Sequence, residues 1–229
     1  MTDVHCHLTG GDPTVREFLI GRDFFGAHPW EAAGLGPEDV RRKAEELRKQ
    51  LVSSSAPQVA HALPVGVGEI GLDRLRDRDI SPVMRELFEA QLKLAFEYNR
   101  PVVLHGAKCW GQVVKAVRDL RASRPDNAPL LFHGFSRSDG LIPDIVALGG
   151  YISVGPAVLN DHAVNYRELV KKIPLERLLV ETDRTPENAA ECPSVAEVAS
   201  KLAEIRGLPV AELEALTDRN ADAFVSKGS

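Results

Sequence analysis

Cysteine is scarce in this chain. The three present, Cys6, Cys109 and Cys192, are far apart, and no CxxC pair occurs. That argues against a disulfide scaffold or a thiolate zinc site and suits a reducing cytosol. Long apolar runs are missing as well: none approaches 18 residues, so no segment reads as spanning a membrane. The opening MTDVHCHLTGG has neither a basic stretch nor an apolar one, so the reading is of a cytoplasmic protein without a secretory signal. Positive charge is not in excess. With 28 Lys+Arg against 33 Asp+Glu the net charge is −5, which argues against a broad basic surface for coating duplex nucleic acid but leaves room for a local anion site. Several enzyme signatures are lacking: GxxxxGK[ST], HExxH and GxSxG. GVGEIG at 66–71 formally matches GxGxxG. A dinucleotide turn must open a helix directly, however, and here LDRLRDRD precedes the next helix signal at Ser81, so we reject it.

What is present is an ordinary globular balance, 229 residues with 44% hydrophobic and 27% charged. The length suits one domain spanning 1–229. Short apolar runs bounded by Gly or Pro occur at Asp3–Leu8, Phe24–His28, Leu63–Leu72, Pro101–His105, Pro129–Phe135, Gly150–Gly155 and Leu178–Thr182. They read as strands buried on both faces. Helical periodicity marks Pro37–Val52, Ser81–Asn99, Gly111–Arg121, Ser138–Leu148, Asp161–Ile173, Pro193–Ile205 and Pro209–Val225. In the second of these Ser81 is a cap, Pro82 takes the first position, and Val83, Leu87, Ala90 and Leu94 form the stripe. Ser53, Ser54, Ser55 and Pro57 read as a surface loop. The alternation predicts a parallel α/β sheet, closed or nearly closed into a β/α barrel, with an open doubly wound sheet as the alternative. Arg16–Ile20 is a weak strand candidate. It follows the first strand too soon for a parallel crossover of a dozen or more residues, so the first βα unit is expected to be curtailed or distorted.

The chemistry sits at strand ends. His5 and His7 form HxH, and positions i and i+2 of a strand share a side. Glu69 lies within PVGVGEIGLD, His105 ends PVVLHG, His133 ends PLLFHG, and Asp183 ends RLLVETD. An unpaired charge buried at any of these places costs several kcal/mol. One explanation covers all six: they are metal ligands at the carboxyl face of a barrel. His28, in GAHPW, also ends a strand and is a candidate substrate or supporting group. Lys108 and Arg137 follow His105 and His133 closely and could bind a phosphate. Asp73 could orient a ligand His, and Trp30 or Trp110 could stack on a base, although packing is the simpler role for each. His61 and His162 read as solvent-side. Cys6, between the two His of HxH, should face the core.

DVHCHL, GAHPW, GEIGLD, VVLHG, FHGF and LLVETD, in this order, resemble the TatD family of metal-dependent hydrolases, and the likeness extends to DRNADAF near the C-terminus. The resemblance implies a distorted TIM barrel, a centre of one or two divalent ions (Zn, Mn, Fe, Co or Mg), and phosphodiester hydrolysis, often of DNA. His5, His7, Glu69, His105, His133 and Asp183 match the family's metal set. There are departures: a curtailed first unit, HPW for the usual HPH, GAKCW after His105, and ETDRTPEN. The expected function is a deoxyribonuclease or phosphodiesterase acting on single-stranded DNA ends or small phosphoesters through a metal-activated water. One ion would take His5, His7, Glu69 and Asp183, and the other Glu69, His105 and His133. Asp183 and Glu69 would be catalytic, and His28, Lys108 and Arg137 would contact substrate. No membrane and no obligate protein partner is inferred. An amide or lactone hydrolase with the same centre, or a non-catalytic metal-binding barrel, is the alternative.

Overall fold

A computed structural model describes residues 1–53, 66–76, 78–123 and 128–226. The loop read at Ser54, Ser55 and Pro57, the solvent-side reading of His61, and the start of the run Leu63–Leu72 lie outside them. Contacts gather the chain into two compact units, one of residues 1–20 and 132–224, the other of 21–131 with the chain's end from 225.

In the second unit the order is β3 (Phe24–Phe25), α1 (Pro37–Ser53), β4 (Gly66–Asp73), α2 (Pro82–Glu97), β5 (Val102–Ala107), α3 (Trp110–Ser123) and the start of β6 (Leu130–Phe132). β3, β4 and β5 are parallel neighbours, with Phe24 opposite Gly66, Gly71 opposite His105 and Asp73 opposite Ala107. Every residue of β4 is buried, as a strand covered on both faces should be. Ser81 caps α2, its hydroxyl accepting from the Met84 amide at 3.0 Å, and Pro82 takes the first helical position. The apolar face is wider than the expected stripe. Met84, Leu87, Phe88, Leu92, Leu94, Ala95 and Phe96 are buried, while Val83 and Ala90 sit half-buried at its margin. The reason is that α2 packs on both β4 and α1. The polar member of this face, Gln91, is satisfied by the backbone. Its amide oxygen accepts from the Ala27 N–H at 2.6 Å and its nitrogen donates to the Ala27 carbonyl at 3.1 Å.

In the first unit β1 (Thr2–Cys6) pairs with β2 (Arg16–Leu19) in parallel, Thr2 opposite Arg16 and Cys6 opposite Leu19. This corrects the sequence argument that the spacing is too short for a parallel partner. Residues 7–15 make the crossing without a helix, because side chains take over the bonds a helix would make. The Asp12 carboxylate accepts from the Thr14 amide at 2.9 Å and hydroxyl at 2.7 Å, and the Glu17 carboxylate accepts from the Gly10 amide and the Thr9 hydroxyl, each at 2.5 Å. The first βα unit is therefore curtailed, as expected, by loss of its helix rather than of its strand.

The same unit holds α4 (Ile142–Ala147), β7 (Gly150–Val154), α5 (Val164–Lys172), β8 (Leu178–Val180), α6 (Val195–Arg206) and α7 (Val210–Val225), with β7 and β8 parallel. The helix expected over Ser138–Leu148 is instead a single turn at Asp139–Leu141 followed by α4. Pro143 lies in the first turn of α4, where a missing N–H is tolerated. β1 meets the end of β8 through bonds beyond the strand: Asp183 N–H to His5 O at 3.0 Å, and His7 N–H to Arg184 O at 2.8 Å.

The register between β4 and β5 leaves no room at Gly71, where an added Cβ would land inside the carbonyl oxygen of His105, at a backbone φ of 156°. We expect Gly71→Ala to destabilise by about 3 kcal/mol or more, the cost of overpacking combined with an unfavourable φ. A denaturant midpoint matching wild type would contradict this register.

Candidate metal centre

In the first unit, β1 and the end of β8 carry the charged side chains. His5 is fully buried, and its Nε2 lies 3.4 Å from Asp183 Oδ1. The Nε2 of His7 lies 3.6 Å from the same oxygen. The His5 and His133 rings stack with centroids 4.0 Å apart. Ring nitrogens of His5 and His133 and an Asp183 oxygen lie within 4.8 Å of one another. Ligands about 2.1 Å from a tetrahedral ion are about 3.4 Å apart, so the observed spacings and the two-imidazole, one-carboxylate chemistry fit a divalent ion.

Buried carboxylates hold this geometry. Asp3 accepts from the His5 amide at 3.3 Å, the Thr182 amide at 3.0 Å and the Thr182 hydroxyl at 2.6 Å, so one side chain fixes both strand ends. Burial pushes its carboxyl up to about 6 against the pull of these bonds. Glu181 accepts from the Gly134 amide at 2.7 Å and the Ser153 hydroxyl at 2.5 Å, and lies 4.0 Å from His133 Nδ1. Burial, opposed by His133 and reinforced by Asp183, lifts it to about 7. Asp183 sits at φ 50°, and its carbonyl accepts from the Asn188 side chain at 3.1 Å. Its side chain remains half exposed, open to solvent and ligands.

In the second unit, His105 lies between two carboxylates. Its Nδ1 is 3.2 Å from Glu69 Oε2 and its Nε2 is 2.8 Å from Asp73 Oδ2. Burial raises Asp73, but the His105 and Leu75 hydrogen bonds outweigh it and hold the carboxyl below its ordinary value. His28, Glu69 and His105 each offer an atom within 4.8 Å of the others. His28, read from sequence as a substrate contact, thus stands among these donors. Lys108 and Arg137 are both exposed and both left-handed, at φ 57° and 60°. Cys6 is buried with its thiol 3.6 Å from the Phe18 carbonyl, the core placement expected. His162 is exposed. Trp110 is buried and packs on Gly106, whereas Trp30 is 39% exposed with the Arg76 guanidinium 3.6 Å over its ring.

Asp3 and Glu181 were missed in the sequence, although the signal used for the six ligands applies to them. Each is an acid inside a buried apolar run, TDVHC and LLVETD.

A family model described as TatD related DNase matches residues 21–226. The chain belongs to the TatD-related DNase family. The match begins after β2, so HxH lies before it. The uncharacterized metal-dependent hydrolase YabD of Bacillus subtilis is 31% identical over 221 residues, 93% of this chain and 81% of that protein. The 3'-5' ssDNA/RNA exonuclease TatD of Escherichia coli K12 is 28% identical over 204 residues, 83% of this chain and 75% of that one. The crystal structure of YjjV, a TatD homologue from E. coli, superimposes with TM-score 0.71 at 26% identity, covering 94% of this chain and 78% of the other. The fold class expected from sequence, a distorted α/β barrel of the metal-dependent hydrolase type, is the one this TatD-family chain shares with it. Among the described residues no helix is long and apolar enough to cross a membrane.

The raised carboxyls have a measurable consequence in the metal-free protein. A folded carboxyl with a raised pKa binds more protons than the unfolded one, so its contribution to stability is present at low pH and lost as pH climbs. For Asp3 and Glu181 the window runs from about pH 4 to 7. With chelator present, the melting temperature of wild type should fall across this range relative to Glu181→Gln. Parallel profiles would show that Glu181 does not titrate as described.

Proposed function

We propose that this chain is a metal-dependent phosphodiesterase acting on single-stranded DNA ends or small phosphoesters. The observation carrying the reading is the convergence of His5, His133 and Asp183 on spacings suited to one ion, in a chain of this family. Because His133 gathers with His5 and Asp183, it moves from the ion to which the sequence reading gave it: His5, His7, His133 and Asp183 would hold a divalent ion in the first unit, and Glu69 and His105 would hold one in the second. Zn, Mn, Fe, Co or Mg suits such nitrogen and oxygen donors. Ions bound there act as Lewis acids and bring the pKa of water toward neutrality.

The chain's own residues supply the rest. The half-exposed carboxylate of Asp183 takes a proton from the attacking water, its backbone fixed by His5 O and the Asn188 amide. Glu69 holds His105 and presents its carboxylate beside it. Lys108 and Arg137 offer cations to phosphate from exposed left-handed turns. Arg184, beside Asp183, donates to the carbonyls of Ala189 at 2.9 Å and Cys192 at 3.0 Å, so its guanidinium braces its own loop. Few phosphate contacts suit short single-stranded ends, as does the substrate named for the E. coli relative. The sparse cysteines suit a reducing cytosol.

Asp183→Asn keeps the side-chain volume and should lower turnover on bis-p-nitrophenyl phosphate by about 10²-fold or more. Near wild-type turnover would remove Asp183 from the mechanism. Elemental analysis should find one or two divalent equivalents, lost with activity in a chelator. Activity that survives complete chelation would sink the metal reading. Lys108→Ala should raise KM for single-stranded DNA ends without changing metal content, whereas efficient cutting of closed duplex by that variant would assign a general endonuclease instead.

A further inference from the structure

Trp30 is fixed on several sides. Its amide donates to His28 Nδ1 at 3.2 Å, as the ring of His28 caps the turn Pro29–Ala32. Its indole donates to the Asp73 carboxylate, the same group that meets His105 Nε2 at 2.8 Å. The indole and the His28 ring form a T, with centroids 4.6 Å apart and planes at 77°. Even so, Trp30 stays 39% exposed. An indole anchored at its nitrogen and left open to solvent is a shelf joined to the side chains around His105.

Arg76 lies on that shelf. It follows the carboxyl end of β4, three residues past Asp73, and its guanidinium carbon is 3.6 Å from the indole centroid. That is the contact distance of two flat faces. An N–H aimed at the ring would hold the carbon farther off, so the guanidinium lies flat and its N–H donors stay in a plane parallel to the indole. None is spent on the ring. Among the described residues none is spent on a carboxylate either, and the residue is exposed. Arg74 shows the alternative, since its Nε donates to the Arg78 carbonyl at 2.6 Å.

An exposed arginine loses side-chain freedom when it binds a ligand. Stacking on a fixed indole removes part of that freedom before any ligand arrives. The result is a planar, permanently charged fork whose free donors match two oxygens of a phosphate. Lys108, just past the end of the adjoining strand β5, is by contrast a point charge on a flexible stem.

We propose that Arg76 is a substrate-binding residue whose guanidinium, laid flat by the Trp30 indole, grips a phosphate of single-stranded DNA, with Trp30 as its positioning residue. This rests on the phosphodiesterase reading, which brings a polyanion to this group of side chains.

A labelled oligothymidylate with phosphorothioate linkages resists cutting and keeps its charge, so its binding to the Zn-loaded protein can be followed by anisotropy. Arg76→Ala should weaken binding about tenfold, the scale of one charged hydrogen bond. It should also make the slope of log K against log salt shallower by about 0.7, one phosphate contact on a single strand. Melting temperature and Zn content should stay close to wild type. Arg76→Lys keeps the charge without the flat face, so it should keep the slope and recover part of the affinity. Trp30→Ala should weaken binding at unchanged slope, and Trp30→Phe should restore it. In the Arg76→Ala protein, loss of the indole should cost nothing further. Wild-type affinity and slope in Arg76→Ala, or losses at Arg76 and Trp30 that simply add, would overturn the proposal. So would a wild type that does not bind the oligonucleotide. The phosphodiesterase reading fails separately, if metal-loaded wild type hydrolyses neither bis-p-nitrophenyl phosphate nor a single-stranded end, and the binding measurements would still judge Arg76.

Discussion

A carboxylate taken out of water must be hydrogen-bonded or neutralised, and this constraint organises the ends of the strands in both units. Asp3 has three donors drawn from two strand ends, so satisfying one buried acid fixes where His5 and Asp183 stand. Glu181 does the same between the Gly134 amide and the Ser153 hydroxyl. Asp73 is met by His105 and by the Leu75 amide. The histidines are therefore presented by a frame whose own polar groups are already spoken for. Bonds of this kind cost a great deal to break halfway, which makes the positions of the ring nitrogens well defined.

Defined positions matter because a histidine offers a metal one nitrogen at a time, and the partner of the other nitrogen decides which. At His105 the carboxylate of Asp73 takes Nε2. At His28 the Trp30 amide takes Nδ1. Spacing groups the two with Glu69, and the partners of their other nitrogens differ.

Much of this was legible in the sequence. The apolar runs marked the strands, and the acids and histidines ending them marked the side chains that the structure brings within reach of one another, because charge has no cheap place in such runs. β2 was legible only as a weak candidate. Its pairing depends on Asp12 and Glu17 bonding loop amides, and crossover length does not encode that. The division of α4 followed from Pro143, a signal present in the sequence but outweighed by the periodicity around it. His28 was legible as a strand-end candidate, but its capping of the turn at Pro29–Ala32 was not, since that depends on which nitrogen meets an amide two residues on.

The cations follow the same logic of prior commitment. Arg184 follows Asp183 directly, and two carbonyls hold its guanidinium. Arg76 lies over the Trp30 ring. Lys108 and Arg137 each sit in an exposed left-handed turn just after a strand-end histidine and would meet the anion on the proposed reading, in a chain of net charge −5. A protein without a broad positive field gains little from long-range attraction of a polyanion. On the proposed reading, its hold on substrate would come from contacts at short range, where they act on an oxygen that gains charge as the bond breaks.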